Sequence, residues 1–353
     1  MYFSKLVESI CPYVAGEQPQ DKKYIKINTN ENPYPPSKEV EKIIKSYDYS
    51  SLRLYPDPDS NVLADSLSKI YNVGKENIFL GNGSDEVLAM CFPAFFDPND
   101  LPVAFADITY SFYKVWANMY KINTHVIPLN DNFEIEANDY INLGNKVKGI
   151  IITNPNAPTG IILDKQDLIS IIKANKDKVV IVDEAYVDFA NYSMAEYIKE
   201  FDNLLVVRTF SKSYSLAGIR CGFALGNAKL ISALNTIKNS INSYTVNRLT
   251  QAVAKAAIED RDYFESNINK IVQTREWTIT KLKELGFYVL PSSSNFVFAK
   301  HIECKGKDLY LNLKKNGVLV RHFDLDRIRD YLRITIGTQE EMEKLIETLI
   351  EIM

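Results

Sequence analysis

Histidine and cysteine are scarce in this chain. Of 353 residues only three are histidine and four are cysteine, and Cys11, Cys91, Cys221 and Cys304 stand far apart with no C-x-x-C pair. Clustered ligands for a metal are missing, so no metal centre is expected, and reduced thiols are the simplest reading. Long apolar runs are missing too. The opening MYFSKLVESICPY lacks the core of a signal peptide, and no stretch approaches the roughly 20 apolar residues of a membrane span. A cytoplasmic protein is expected. Excess positive charge is the third absence: a net charge of -4 gives no footprint for nucleic acid or an anionic membrane. Local anion sites stay open, because a helix N-terminus or one arginine acts over a few ångströms. The expected partners are small molecules.

Hydrophobic residues at 46% and charged residues at 24% fit a globular protein with a real core, and the length suits one large domain or two unequal ones. KYIKINTNENPYPPS, rich in Pro and Asn, reads as an arm. SKEVEKIIKSY, with Ser37 as N-cap, and NVLADSLSKIY have helical spacing. Apolar strands then alternate with helices: NIFLGNGSDEVLAMCFPAFF, LPVAFADITYSFYKVWANMY, VKGIIITNPNAPTG, KVVIVDEAYVDF, NLLVVRTFSKSYSLAG and RCGFALGN. Unbroken Val/Ile/Leu runs between helices predict an α/β large domain, a mostly parallel sheet covered on both faces. Beyond about residue 230 long helical stretches (LISALNTIKNSI and RLTQAVAKAAIEDRDYFESNINKIVQTREWTITKLKELG), short strands (NFVFAK, GVLVRHF, YLRITIG) and a closing helix predict a smaller α+β domain. The expected division is 33–240 for the large domain, and 1–32 with 241–353 for the small domain and arm.

In an open parallel sheet, ligands sit outside the carboxyl ends of the strands. The unusual residues of this sequence gather there: GNGSDE after one strand, NPNAPTG after a second, DEAY after a third, RTFSKSY after a fourth. In GNGSDE the amides of Ser84 and Asp85 would face an anion from the first turn of a helix; a tight turn with a capping serine gives the same letters. Asp183 ends an apolar strand, where an unpaired charge is costly and a protonated ring nitrogen would satisfy it. Tyr186, three residues on, could reach a neighbouring phenolic oxygen. Ser211 and Arg220 would hold a phosphate in the same loop as Lys212. An ammonium desolvated beside a cationic ring gives up its proton more readily, and the free amine attacks carbonyls. Phosphate seat, ring-nitrogen acid and reactive amine together describe pyridoxal 5'-phosphate.

Through NTNENPYPPS, RLYPDPDS, GNGSDEV, NPNAPTG, VDEAYVDF, RTFSKSYSLAGIRCG and YLRITIGT, nearly the whole chain resembles the fold-type I pyridoxal-phosphate aminotransferases. The resemblance implies that Lys212 carries the cofactor covalently, that Asp183 pairs with the ring nitrogen and that Tyr186 bonds the ring hydroxyl. It implies that Ser84, Asp85, Ser211 and Arg220 hold the phosphate and that Tyr110 stacks on the ring. Tyr55 would reach the cofactor of a second subunit, in a homodimer with shared sites. One position departs from the family's pattern: Ala157 stands where an asparagine for the ring hydroxyl is common, leaving that role to Asn156, Asn154 or Tyr186 alone.

Alternation in YLRITIG puts Tyr331, Arg333 and Thr335 on one face and Leu332, Ile334 and Ile336 on the other. Arg321 shares a face with Leu319 and Phe323, an odd place for a charge unless it points into a cleft. The resemblance implies that Arg333 and Arg321 bind the carboxylates of glutamate or the phosphate of a second substrate, with Tyr13 and Asn32 lining the pocket. The reaction it implies moves an amino group between histidinol phosphate and 2-oxoglutarate, a step of histidine biosynthesis. A decarboxylase, or an aminotransferase of another phosphorylated or aromatic amine, would share these motifs. A cofactor-binding regulator would need a DNA-binding domain, for which there is neither room nor basic charge.

Overall fold

The structure, a computed structural model, describes residues 2–353, so Met1 of the expected 1–32 segment lies outside the described residues. A short helix α1 (Lys5–Ser9) precedes strand β1 (Ile25–Lys26) and helices α2 (Lys38–Lys45) and α3 (Asn61–Tyr71). Ser37 caps α2, its hydroxyl accepting from the Val40 amide at 3.4 Å. Strands and helices then alternate: β2 (Ile78–Gly81), α4 (Gly83–Phe95), β3 (Val103–Ala106), α5 (Phe112–Tyr120) and β4 (Thr124–Ile127). The series continues with α6 (Ala137–Ile141), β5 (Gly149–Thr153), α7 (Lys165–Ala174), β6 (Val179–Asp183), β7 (Leu204–Thr209) and β8 (Gly222–Gly226).

These strands β2 to β8 form one seven-stranded sheet in the order β2-β8-β7-β6-β5-β3-β4. From β4 to β7 every neighbour is parallel, whereas β8 runs against both β2 and β7. The sheet is therefore mixed, parallel through its centre. Strands β5 and β7 are buried along their whole length, as helices on both faces require, which is why they read as unbroken apolar runs. Edge strand β4, with His125 and exposed Thr124 and Val126, carries no such run and no sequence signal.

Four helices, α8 (Ala228–Ile241), α9 (Arg248–Glu259), α10 (Arg261–Glu284) and, after two strands, α11 (Gly306–Lys315), carry the chain onward. Strands β9 (Phe287–Val289), β10 (Phe296–His301), β11 (Val318–Leu319), β12 (Arg321–His322) and β13 (Leu332–Thr335) follow α10, and α12 (Gln339–Ile352) ends the chain. A four-stranded antiparallel sheet, β12-β13-β10-β9, is the centre of the smaller unit, while β1 of the arm pairs in parallel with β11. Leu332, Ile334 and Ile336 join the core of that unit with Phe296, Leu345 and the arm's Ile27, whereas Tyr331 packs in a separate cluster.

Two expectations change. The long helical stretch after residue 247 is two helices, because Asp260 ends α9 and caps α10 by accepting from the Tyr263 amide at 3.4 Å. And α9 belongs with the large sheet: Val253, Ala254, Ala257 and Ile258 share a core with Leu63 and Leu67 of α3. Only within α10, where Ile271 and Leu282 enter the small unit's core, does the chain change bodies, well after residue 240. Among the described residues no helix is long and apolar enough to cross a membrane. Replacing the cap, Asp260→Ala, is expected to lower stability by about 1 kcal/mol, read as a lower urea midpoint; an unchanged midpoint would show that the helix break needs no cap.

Candidate active site

Asp183, last residue of β6, lies in register with Thr153 at the end of β5 and with Val207 of β7. The candidate residues of the large domain, Tyr55 excepted, follow the strand ends at this edge. Tyr186 is three residues past it, on the loop leaving β6. Thr209 ends β7 and the Lys212 loop begins, while α4 rises from β2, which β8 separates from β7.

The phosphate-seat motif forms a close-packed turn. Gly83 has φ +81°, and a Cβ there would lie 2.5 Å from the Arg220 guanidinium. Gly222, at the start of β8, has no room either: its Cβ would meet the Ser84 amide nitrogen at 2.3 Å. The two glycines thus bring the first turn of α4, whose amides have no acceptor within the helix, against Arg220 and the Lys212 loop. Arg220 Nη1 donates to Ser211 Oγ at 3.5 Å and Nη2 to Asp85 Oδ2 at 3.1 Å. Ser211 Oγ also accepts from Thr209 Oγ1 at 3.0 Å, which leaves its own proton free for an incoming oxygen. The Arg220–Asp85 pair is nearly half exposed, so it is a weak contact that an anion can displace.

Asp85 also accepts from Tyr110 Oη at 2.7 Å, pinning that ring at the mouth of the site. Burial and the Asp85 charge both push the Tyr110 phenol far up, so it stays a neutral donor. Asp183 is fully enclosed and its carboxyl is pushed up to about 6 by burial. Its donors are Tyr113 Oη at 2.6 Å and the Ala185 amide at 3.1 Å. No lysine, arginine or histidine lies within ion-pair distance of it among the described residues. A neutral acid would tolerate that place. A carboxylate needs a cation brought from outside.

Lys212 is half-buried, its Nζ donating to Thr29 O at 3.2 Å and standing 5.8 Å from the centre of the Tyr186 ring. It has no carboxylate partner within 4.0 Å. Asn32 holds the loop from the arm, its Nδ2 donating to Lys212 O and Ser213 O, each at 3.1 Å. From the other side Asp188 accepts from both Ser213 and the buried Arg208. The Lys212 backbone is therefore clamped while its side chain is left unpaired.

Arg333 and Arg321 face each other across the β12–β13 ladder. Directly opposed like charges are unfavourable unless an anion comes between them. Burial pushes the Arg333 guanidinium down from its ordinary value, yet no carboxylate compensates it, and its Nε has no partner at all. Phe296 and Phe323 flank it at 5.4 and 5.6 Å. Arg321 donates only to the carbonyls of Val14 and Ala15. Tyr13 stacks on Phe112 at 4.3 Å, beside Tyr110.

Some expected roles find no support in these contacts. Asn156 spends its amide on Ile108 O and Thr159 and its oxygen on Thr109, so it braces its own loop. Asn154 is likewise committed to Tyr192 and the Leu163 amide. Asn32 is a brace for the Lys212 loop, with its oxygen taken by the Tyr34 amide, and is not free to meet a ligand. Tyr55 is exposed, stacks on Tyr244 at 4.7 Å and contacts none of these side chains. Two residues went unread in the sequence. Asn30, in the left-handed region with φ 58°, donates Nδ2 to Tyr186 Oη at 2.9 Å and couples it to Thr335. Tyr113, in the first turn of α5, carries the bond to Asp183, and nothing in its local sequence signalled that role.

Pyridoxal 5'-phosphate fits what is present. Asp183 lacks a cation, Lys212 lacks an anion, and the Ser84–Ser211–Arg220 cradle is built around two glycines that a Cβ would close. A cavity of about 490 Å³ at the opposite edge of the sheet, lined by Phe95, Leu101, Lys148, Lys178 and Leu230 among others, has no such set of groups. Gly222→Ala is expected to push α4 off its seat. Excess pyridoxal phosphate should raise the thermal midpoint of the native sequence, as a ligand at about 100 times its Kd adds roughly 2.7 kcal/mol. The variant should show little such rise; an equal rise would rule out the cradle.

Residues 22–349 match the family model described as aminotransferase class I and II. The chain is 52% identical to the histidinol-phosphate aminotransferase of Brachyspira hyodysenteriae, over 99% of this chain and 98% of that one. It is 53% identical to the enzyme of the same name from Clostridium beijerinckii, over 99% and 96% of the two chains. In fold it resembles the crystal structure of the Sinorhizobium meliloti histidinol-phosphate aminotransferase in complex with pyridoxal-5'-phosphate. The TM-score is 0.90 at 23% identity, covering 99% of this chain and 97% of that one.

Proposed function

The chain belongs to the class I and II aminotransferases, and from that premise we propose that it moves an amino group between histidinol phosphate and 2-oxoglutarate, with pyridoxal 5'-phosphate as cofactor, in histidine biosynthesis. The observation that carries the choice of substrate is the opposed pair Arg321 and Arg333, two cations with no protein carboxylate between them. Both half-reactions present an anion to that pair: the phosphate of an amine lacking an α-carboxylate, then the carboxylates of glutamate. Planar guanidinium groups meet either one through paired hydrogen bonds.

When bound, the cofactor supplies an electron-accepting ring that stabilises charge developing at the substrate carbon next to nitrogen. The chain supplies the rest. Lys212 would hold the cofactor through Nζ; freed by the incoming amine, that nitrogen would take the proton off the substrate carbon as general base and, as general acid, pass it to the cofactor carbon on the other side of the substrate nitrogen. Asp183 holds the proton on the ring nitrogen at Oδ1 or Oδ2. Tyr186, itself oriented by Asn30, bonds the ring hydroxyl without help from Ala157 or Asn156. Ser84, Asp85, Ser211 and Arg220 anchor the phosphate, and Tyr110 covers the ring. Tyr13 lines the same pocket from the arm, and the Val14 and Ala15 carbonyls orient Arg321.

Further readings belong with this one. The exposed Tyr55–Tyr244 stack and the exposed Tyr2, Phe3 and Val7 of the arm support a homodimer in which Tyr55 completes the partner's site. Four unpaired cysteines support a reducing, cytoplasmic setting.

Purified protein given histidinol phosphate and 2-oxoglutarate should form glutamate, faster than with aromatic amino acids or phosphoserine-like amines and without release of carbon dioxide. Lys212→Ala should lose turnover by at least roughly a thousandfold, since general acid–base transfer alone contributes about 10²–10⁴. Arg333→Ala should raise KM for both substrates by about 10–150-fold, from the roughly 1.5–3 kcal/mol of a hydrogen bond to a charged group. Carbon dioxide released from the aromatic or phosphoserine-like amino acids in place of glutamate formation, or full turnover by Lys212→Ala, would contradict the assignment.

A further inference from the structure

Asp183 faces a limited set of groups. From α4 come Cys91 and, farther off, Asp85, which repels it; from α5 comes Tyr113; from its own loop comes the Ala185 amide. None is a cation. Tyr113 is wholly buried, with its hydroxyl 2.6 Å from Asp183 Oδ2 and 2.8 Å from Thr153 Oγ1. Thr153 Oγ1 is in turn 2.9 Å from Thr109 Oγ1.

The direction of every proton in this row follows from counting. An ionised carboxylate only accepts, so the single Tyr113 proton goes to Asp183. Thr153 must then donate to Tyr113, since that oxygen has no second proton. Thr109 must donate to Thr153 for the same reason, sharing its proton with Asn156 Oδ1 at 3.0 Å. Asn156 is fixed for that acceptor role because its Nδ2 is spent on Ile108 O and Thr159. Hydroxyls aligned this way polarise one another, more strongly in a dry interior than in water.

We propose that Tyr113 is a positioning residue of the reaction: with Thr153 and Thr109 it forms a one-way row of hydroxyl dipoles that keeps Asp183 ionised and aimed where the cofactor's ring nitrogen must meet it. The proposal rests on the reading of Asp183 as that nitrogen's partner. The row does what no cation of the protein does. Burial alone favours the protonated acid, which cannot hold a ring proton, and donation from Tyr113 opposes burial.

Tyr113→Phe removes one oxygen and keeps the ring that packs against Phe105 and Trp116. The first readout is the stability of the cofactor-free protein against pH. Because burial raises the folded-state pKa of Asp183 to about 6, its contribution is fully present below its unfolded value. That contribution is lost as pH rises and levels off once pH passes about 6. Without the phenol the folded value climbs further, so in Tyr113→Phe the loss should continue for about one pH unit more before levelling. The second readout is binding: the Kd for pyridoxal phosphate near neutral pH should rise about tenfold, with kcat lowered and the KM values for both substrates unchanged.

Thr153→Val should shift the same curve in the same direction and Thr153→Ser should restore it, which preserves the test if Tyr113→Phe folds poorly. A variant curve that parallels the native one, offset in stability but levelling at the same pH, overturns the proposal. Asp183→Asn separates the two layers. If it keeps cofactor affinity and turnover, the reading of Asp183 has failed; if it loses both while Tyr113→Phe matches the native protein, only the hydroxyl row has failed.

Discussion

Two largely buried charges without an oppositely charged partner in the protein shape this molecule. Asp183 ends β6 with two neutral donors and no cation, and Arg333 sits between Phe296 and Phe323 with no anion and an idle Nε. An uncompensated buried charge costs several kcal/mol, so a fold selected for stability alone would remove both. A site waiting for a ligand that is cationic at one end and anionic at the other explains them together. The ring nitrogen of the cofactor answers Asp183, and the phosphate or carboxylate of the substrate answers Arg333. Lys212 is an amine with only a backbone carbonyl to bond.

Holding such a site open takes bracing from elements distant in the chain. Asn30 of the arm reaches Tyr186 and Thr335, Asn295 donates to Asn30 O at 3.0 Å, and Asn32 grips the Lys212 loop. The arm thereby ties the small antiparallel sheet to the loops of the large one. On the far side the buried Arg208–Asp188 pair, with Ser213, joins the Tyr186 loop to the Lys212 loop. A pair of this kind adds little net stability, since desolvation offsets its attraction; what it contributes here is a fixed distance between the two loops.

Much of this could be read from the letters, for a local reason. In a sheet with a parallel centre the strand ends lie side by side, so short motifs after successive strands converge without any knowledge of their contacts. GNGSDE, DEAY and RTFSKSY were legible that way, and the alternation in YLRITIG placed Arg333 opposite its apolar neighbours. Other features depend on partners far away in sequence. An aromatic on a helix such as Tyr113 reads as core filling until Asp183 is found beside its hydroxyl. Amides are worse: nothing in the letters tells whether Asn32, Asn154 or Asn156 faces a ligand or a carbonyl, and each faces its own protein. The change of body within α10 was hidden because α9 and α10 share one helical pattern, and polar β4 was hidden by its place at the sheet edge.

The central claim is that an ionised Asp183 keeps the cofactor's ring nitrogen protonated. Nitrogen-15 NMR of the protein loaded with pyridoxal phosphate labelled at that nitrogen measures it directly. The account predicts the shift of a protonated pyridinium at neutral pH, persisting well above it. A shift of neutral pyridine at neutral pH would contradict the account, whatever the rate of the reaction.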